Sequence, residues 1–164
     1  MSARRGRERL LAVLVPLTAA GTALLALSAW SLSGQAGAPS HVTVANAQVW
    51  LTYLDGRDTS AYFTLRNTGD TDDRLVAVSS PRADHVMLSR HEHTATGAGR
   101  MAAADTLGLP ARSTVRMSAT TVNVMLTPRE HWAEGGTVEF VLRFEHAPQV
   151  TVTATVVRPG TPTG

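Results

Sequence analysis

The chain has 164 residues, 43% hydrophobic and 17% charged, with no cysteine and no lysine. Its formal charge of +2 hides an asymmetry: residues 1–38 carry four arginines and one glutamate, a balance of +3, which leaves −1 for the rest. Arginines spread singly over that remainder exclude a nucleic-acid footprint, and without disulfides the domain must rely on its apolar core.

Arg4, Arg5, Arg7 and Arg9 form a basic start, followed by the apolar run Leu10 to Leu32, broken only by Pro16, Gly21 and small hydroxyl residues. A secretory signal core is about 7–15 residues, whereas a bilayer span needs about 20. The length of the run therefore predicts a retained anchor. The positive-inside rule keeps the arginines in the cytoplasm and sends the rest of the chain outward. Ala36-Gly37-Ala38 reads as a small-residue cleavage site, so the alternative is a cleaved signal peptide and a secreted domain. Arg4-Arg5 is a twin arginine, but Gly6-Arg7-Glu8 after it is not apolar. Lipidation at a cysteine is excluded. Residues 1–38 thus read as signal anchor or signal peptide, 39–158 as an extracytoplasmic domain and 159–164 as a disordered tail.

From Ala38-Pro39-Ser40, a linker, short alternating runs follow one another. His41–Ala45 and Gln48–Tyr53 read as strands before a turn at Asp55-Gly56. In Ser60–Asn67, the residues Ala61, Phe63 and Leu65 share one face, and Tyr62, Thr64 and Arg66 the other. Asn67-Thr68-Gly69-Asp70 is a turn. Arg74–Ser79 is a strand stopped by Pro81. His85–His91 follows, then a break bearing Gly97 and Gly99, then a short run at Met101. Leu107-Gly108-Leu109-Pro110 reads as a connection into Ser113–Met117. Thr121–Thr127, Thr137–Glu145 and Gln149–Val157 complete the set, with Val138, Phe140, Leu142 and Phe144 pointing inward. Seven to nine short strands without a helical period predict an all-β antiparallel sandwich or barrel.

Between His85 and Met125 lie three of the six histidines (His85, His91, His93) and four of the five methionines (Met87, Met101, Met117, Met125). Methionine is a flexible core filler, yet thioether and imidazole together also suit Cu(I). Side chains two apart on a strand share a face. Val122, Val124 and Leu126 are expected in the core, which puts Asn123 and Met125 outside it. Likewise Val86 and Leu88 point inward, while Met87, Ser89 and His91 line the other face. Met101 falls near a loop or edge, and Met117 in the core.

Three stretches resemble the PCu(A)C-type extracytoplasmic copper chaperones: Tyr62 to Asp70, Asp73 to Pro81, and the spacing from Met101 to Met125. The resemblance implies a cupredoxin-like Greek-key β-sandwich over residues 41–157, Cu(I) binding, and delivery to an acceptor cuproprotein such as the CuA centre of cytochrome c oxidase. That family's ligand pattern is a His, ten residues, a Met, twenty-one residues, then His-x-Met. Met101 and Met125 keep its interval. Asn123 stands where the second histidine belongs, and counting back from Met101 gives Arg90, with His91 next to it. The expected ligands are Met101, Met125 and His91, with Met87 beside them and His85 and His93 in reach. Met101 and Met125 are expected side by side at the rim of the sandwich.

Elsewhere the simpler reading prevails. His93 reads as a solvated loop residue, His131 as a surface connection, His146 as a turn cap, and His41 as the opening of a strand. Trp50 and Trp132 read as core or rim anchors. Asp72-Asp73 and Asp84 belong to turns, Ser79-Ser80-Pro81 has no glycine elbow, and neither a zinc-protease helix nor a phosphate loop is present. An enzyme is not expected. The alternative to a copper chaperone is an exported interaction domain of the same fold that has lost its metal.

Overall fold

The apolar run near the N-terminus forms one helix, α1 (Ser2–Leu32), in a computed structural model that describes residues 2–32, 37–52, 57–93 and 99–160. Within α1, Leu14–Ser31 is long and apolar enough to cross a membrane, with a mean hydropathy of 1.5. Contacts divide the chain into two units, Met1–Ala38 and Pro39–Gly164. Ala36, Asp55-Gly56, Gly97 and residues 161–164 lie outside the described residues.

Among its described residues the second unit has ten strands, more than the seven to nine expected: β1 Val42–Trp50, β2 Thr59–Asn67, β3 Asp73–Ser79, β4 Ala83–His93, β5 Gly99–Ala103, β6 Leu107–Leu109, β7 Thr114–Arg116, β8 Val122–Pro128, β9 Thr137–Phe144 and β10 Val150–Val157. Hydrogen bonds link them in the order β5-β4-β8-β2-β1-β10-β9-β3-β6, with β7 added to β2. Pairing is antiparallel except between β1 and β10, which run parallel. Two expectations change. The runs His41–Ala45 and Gln48–Tyr53 are not separate strands: Val42–Trp50 is the single strand β1, bulged between Ala45 and Gln48, and Tyr53 lies outside the described residues. Asn46 takes a left-handed φ of 48° there, a conformation asparagine tolerates better than most residues. Leu107–Leu109 is not a plain connection but an edge strand against β3, with Leu107 and Leu109 buried on either side of Gly108.

The ladder bends into a sandwich. β2 and β9 are three places apart in the strand order, which in a flat sheet means about 14 Å. Yet the Phe63 and Phe140 rings meet edge to face with centroids 5.4 Å apart. Between the layers lie Ala61, Phe63, Leu65, Leu88, Val124, Leu126, Val138, Phe140, Leu142, Phe144 and Val156, all buried. The inward positions of Thr137–Glu145 are those the alternation predicts, and Met117 is core, 2% exposed. Trp132 is buried as well, and Trp50 packs on Tyr62 with ring centroids 4.8 Å apart.

At one end of the sandwich, Asp73 ties three segments together. Its Oδ1 accepts the backbone N–H of Arg74 (2.7 Å) and of His146 (3.1 Å), and its Oδ2 that of Ala147 (2.8 Å). The cap of this turn is therefore the Asp73 carboxylate rather than the His146 side chain. Burial alone would raise the Asp73 pKa. The Ser40 hydroxyl and those three N–H groups outweigh it and hold the carboxyl at about 2.

Candidate functional site

β4, β5 and β8 form one end of the ladder, and their register decides which side chains meet. Ala83 pairs with Pro128 and Asp84 with Thr127; beyond a bulge, Met87 pairs with Met125, Leu88 with Val124 and Ser89 with Asn123. Three steps on β4 thus match two on β8. The bulge carries His85 at a positive φ of 51°. Without it, Leu88 would sit opposite Asn123 and one of them would be on the wrong face. With it, Leu88 and Val124 share the core while Met87, Ser89 and His91 line the other face together with Met125 and Asn123.

On the far side of β4, His91 pairs with Met101 and Ser89 with Ala103. The outer face of β5-β4-β8 therefore carries two soft-donor pairs, His91–Met101 and Met87–Met125, with the pair Ser89–Asn123 between them. Directly opposed residues have Cα atoms about 4.5–5.5 Å apart, so the members of each pair are cross-strand neighbours on one face. Met101 is not side by side with Met125, as the interval suggested: β4 lies between their strands, and the two pairs are four residues apart along it. In this unit Met87 (46% exposed) and Met101 (38%) are the exposed large hydrophobic side chains among the described residues. Core packing explains Met117 but neither of these, and Met125 is half-buried.

The middle of this face is not open, contrary to the expectation from alternation. Ser89 is 1% exposed, Asn123 4% and Tyr62 2%. Ser60 pairs with Met125 and Ala61 with Val124, so the next step brings Tyr62 beside Asn123. The Asn123 amide nitrogen reaches the Ser60 hydroxyl at 3.5 Å, while its carbonyl oxygen is buried without a hydrogen-bond partner. Burial pushes the Tyr62 phenol above its ordinary pKa, against hydrogen bonds from Ser60 and Asn123 that favour the charged form. The donor set is neutral and soft at its two ends and oxygen-bearing in the middle. That chemistry fits a monovalent soft cation and is poor for a hard divalent one.

Other candidates lie elsewhere. His85 occupies the β4 bulge and is exposed, and His93 ends β4 opposite Gly99. Asp84 is held by Arg129 at 2.7 Å, and His41, His131 and His146 are exposed, outside β4, β5 and β8. Among the described residues no three His, Asp or Glu side chains cluster as a metal site.

Comparison with known proteins gives a family. Residues 42–156 match the family described as putative lipoprotein LpqE-like. No curated protein matches. Among solved structures, the copper-bound PCuAC domain from PmoF2 is 26% identical with a TM-score of 0.58, covering 73% of this chain and 98% of its own. The apo PCuAC domain from PmoF1 is 22% identical with a TM-score of 0.62, covering 73% and 99%; that likeness speaks to fold alone. Apo-DR1885 from Deinococcus radiodurans is 32% identical with a TM-score of 0.55, covering 73% and 80%, and a CuI form of DR1885 also matches.

Proposed function

For a chain that belongs to the LpqE-like family and folds as a PCuAC-type copper chaperone domain, we propose that Cu(I) is carried on the outer face of β4, β5 and β8 by Met101, Met125, His91 and Met87. One observation carries this reading. The exposed large apolar side chains of the β-unit, among the described residues, are two methionines, and each stands in register with a second soft donor. Thioether and imidazole ligands are uncharged and soft, so they favour Cu(I) over Cu(II).

The mechanism is ligand exchange without a change of oxidation state. The exposed thioethers hold the ion at the surface, and an acceptor with stronger ligands, thiolate or imidazole, displaces them one at a time. The acceptor lies outside the cytoplasmic membrane, the CuA centre of cytochrome c oxidase being the type the family resemblance implies. Helix α1 serves as a signal anchor that keeps the domain near membrane-bound oxidases; cleavage of the leader would release it instead. Mass determination of the exported protein distinguishes these.

The test is anaerobic Cu(I) titration of the full chain in detergent against a Cu(I) chelator. The parent should compete for copper, and the Met101→Leu, Met125→Leu double variant should lose that competition. Equal binding by both would remove these residues from the site. A second reading, an interaction domain that has lost its metal, is favoured by Asn123 standing where the family pattern has a histidine. It predicts no competition by the parent.

A further inference from the structure

Five neighbouring strands of the β-unit carry almost no charge. β8, β2, β1 and β10 follow one another in the hydrogen-bonded order, and β7 pairs with β2. None of the five contains an aspartate or glutamate, and their charged residues are Arg66 and Arg116. Far apart in the sequence, these two are brought together by the fold. Arg66 pairs with Thr114 and Thr64 with Arg116, so both arginines are on the face opposite the buried Leu65. They are exposed and stand at the diagonal cross-strand spacing of about 7–8 Å.

Elsewhere arginine is accompanied by acid. Arg74, Arg82, Arg100, Arg112, Arg129 and Arg158 each meet a carboxylate. β4 and β9, which carry Arg90 and Arg143, also carry acidic residues. Among the described residues neither Arg66 nor Arg116 has such a partner. The carboxylates in the turn after β2 are engaged, Asp70 with Arg112 and Asp72 with the backbone N–H of Ala111. Like charges set beside each other across strands are destabilising. An anion between them removes that cost, and guanidinium groups match phosphate in geometry as well as charge.

The position of the pair selects the anion. The chain from α1 enters the β-unit at Val42, and the first exposed residue of β1, Thr43, lies directly opposite Arg66. Ten residue steps lead from Leu32 to Val42, at most about 35 Å of chain. We infer that Arg66 and Arg116 dock on the phosphate groups of anionic phospholipids in the leaflet from which α1 emerges. The inference rests on α1 being a retained anchor and adds to it: the anchor brings the domain to the membrane, and the arginines decide how it is turned there. Met125 lies opposite Ser60, six residues along β2 from Arg66, or about 20 Å. The contact therefore leaves the proposed soft donors uncovered.

Among the described residues there is no cysteine, and the sequence has none, so one introduced thiol is unique. Thr114→Cys, opposite Arg66, carries a fluorophore in the full chain reconstituted into nanodiscs. The discs hold phosphatidylcholine alone, or phosphatidylcholine with phosphatidylglycerol as a third of the lipid, and a nitroxide on the lipid headgroups quenches the label on contact. Ala133→Cys is the control, exposed and past β8, at the end where β2 begins. Each arginine near an anionic surface multiplies the docked-to-undocked ratio by about five, so the pair should raise it roughly 25-fold. Quenching at position 114 should rise with phosphatidylglycerol and fall again in high salt, while position 133 stays unchanged. The Arg66→Gln, Arg116→Gln double variant should return quenching to the phosphatidylcholine level. Arg66→Lys with Arg116→Lys keeps the charge and should keep most of the effect, which separates lost docking from lost folding. Equal quenching in both discs, or a glutamine variant that still responds to phosphatidylglycerol, overturns the lipid contact and leaves the pair to an acidic protein; the anchor then stands, since the chain remains in the disc. An exported protein whose mass lacks α1 removes the anchor and the inference together.

Discussion

Asp73 offers the strictest test of the energetics. Its side chain is fully covered, and its carboxylate accepts three backbone N–H groups, from Arg74, His146 and Ala147. These, with the Ser40 hydroxyl, hold its pKa at about 2 against a usual 3.8, despite a burial that would raise it. A depression of nearly two units corresponds to about 2 kcal/mol of stability. Because the folded pKa lies below the unfolded one, this contribution is complete above pH 3.8 and is lost as pH falls towards about 2. Asp73→Asn keeps the shape but turns one acceptor into an N–H2 that faces a backbone N–H. We expect it to cost about 2 kcal/mol or more at pH 7. Urea unfolding of parent and variant at pH 7, 4, 3 and 2 measures the difference. The gap should be full at pH 7 and narrow steadily below pH 4, as the parent's carboxyl protonates. A gap that stays constant down to pH 2, or no gap at pH 7, would refute the assignment.

Further outcomes follow from the same geometry. Asn123→His restores the imidazole of the family pattern beside Met125; Cu(I) affinity in chelator competition should rise by roughly tenfold or more, given that even an outer partner of a metal ligand is worth about 10–100-fold. Met117→Ala should destabilise the domain by about 2–5 kcal/mol in thermal unfolding and leave copper binding unchanged. Met101→Leu should do the reverse, weakening copper binding while leaving stability within about 0.5 kcal/mol. His85→Gly should stabilise by about 1 kcal/mol, since glycine occupies a φ of 51° without strain, whereas His85→Val should destabilise by more than that.

Much of this protein is legible in its sequence, and where it is not, the reason is specific. Alternation places Val138, Phe140, Leu142 and Phe144 inward because β9 is regular, paired along both edges by β10 and β3, with one face buried. The same rule marks Met117 as core. It fails at Tyr62, Ser89 and Asn123, which point away from the core and are buried nonetheless. Period two reports which face a side chain is on, not whether that face is covered; Trp50 over Tyr62 covers part of this one. Asp73 was missed for a related reason. A carboxylate between Asp72 and Arg74 looks like a turn, and only the return of the chain at His146 and Ala147 makes it a buried anchor.

Two of the register shifts, in β1 and β4, are the deeper lesson, because each changes face parity without changing composition. At Asn46 the bulge lets one strand read as two. At His85 it decides which side chains share the face. Were β4 paired with β8 in unbroken register, Asp84 opposite Thr127 would put Val86 opposite Met125 and Leu88 opposite Asn123. The methionine of β8 would then face a core aliphatic, and Met87 would lie on the opposite side of the sheet. One inserted residue instead brings Met87 to Met125 while keeping Leu88 against Val124. Asparagine and histidine are both enriched at positive φ, so the sequence held a faint signal at each bulge. It was a polar residue of that kind where the alternation loses step. The proposed copper face therefore depends on His85 through the backbone, although that side chain is outside the proposed ligand set. A substitution at position 85 that straightens the strand should abolish the Met87–Met125 pairing with every proposed ligand still in the chain.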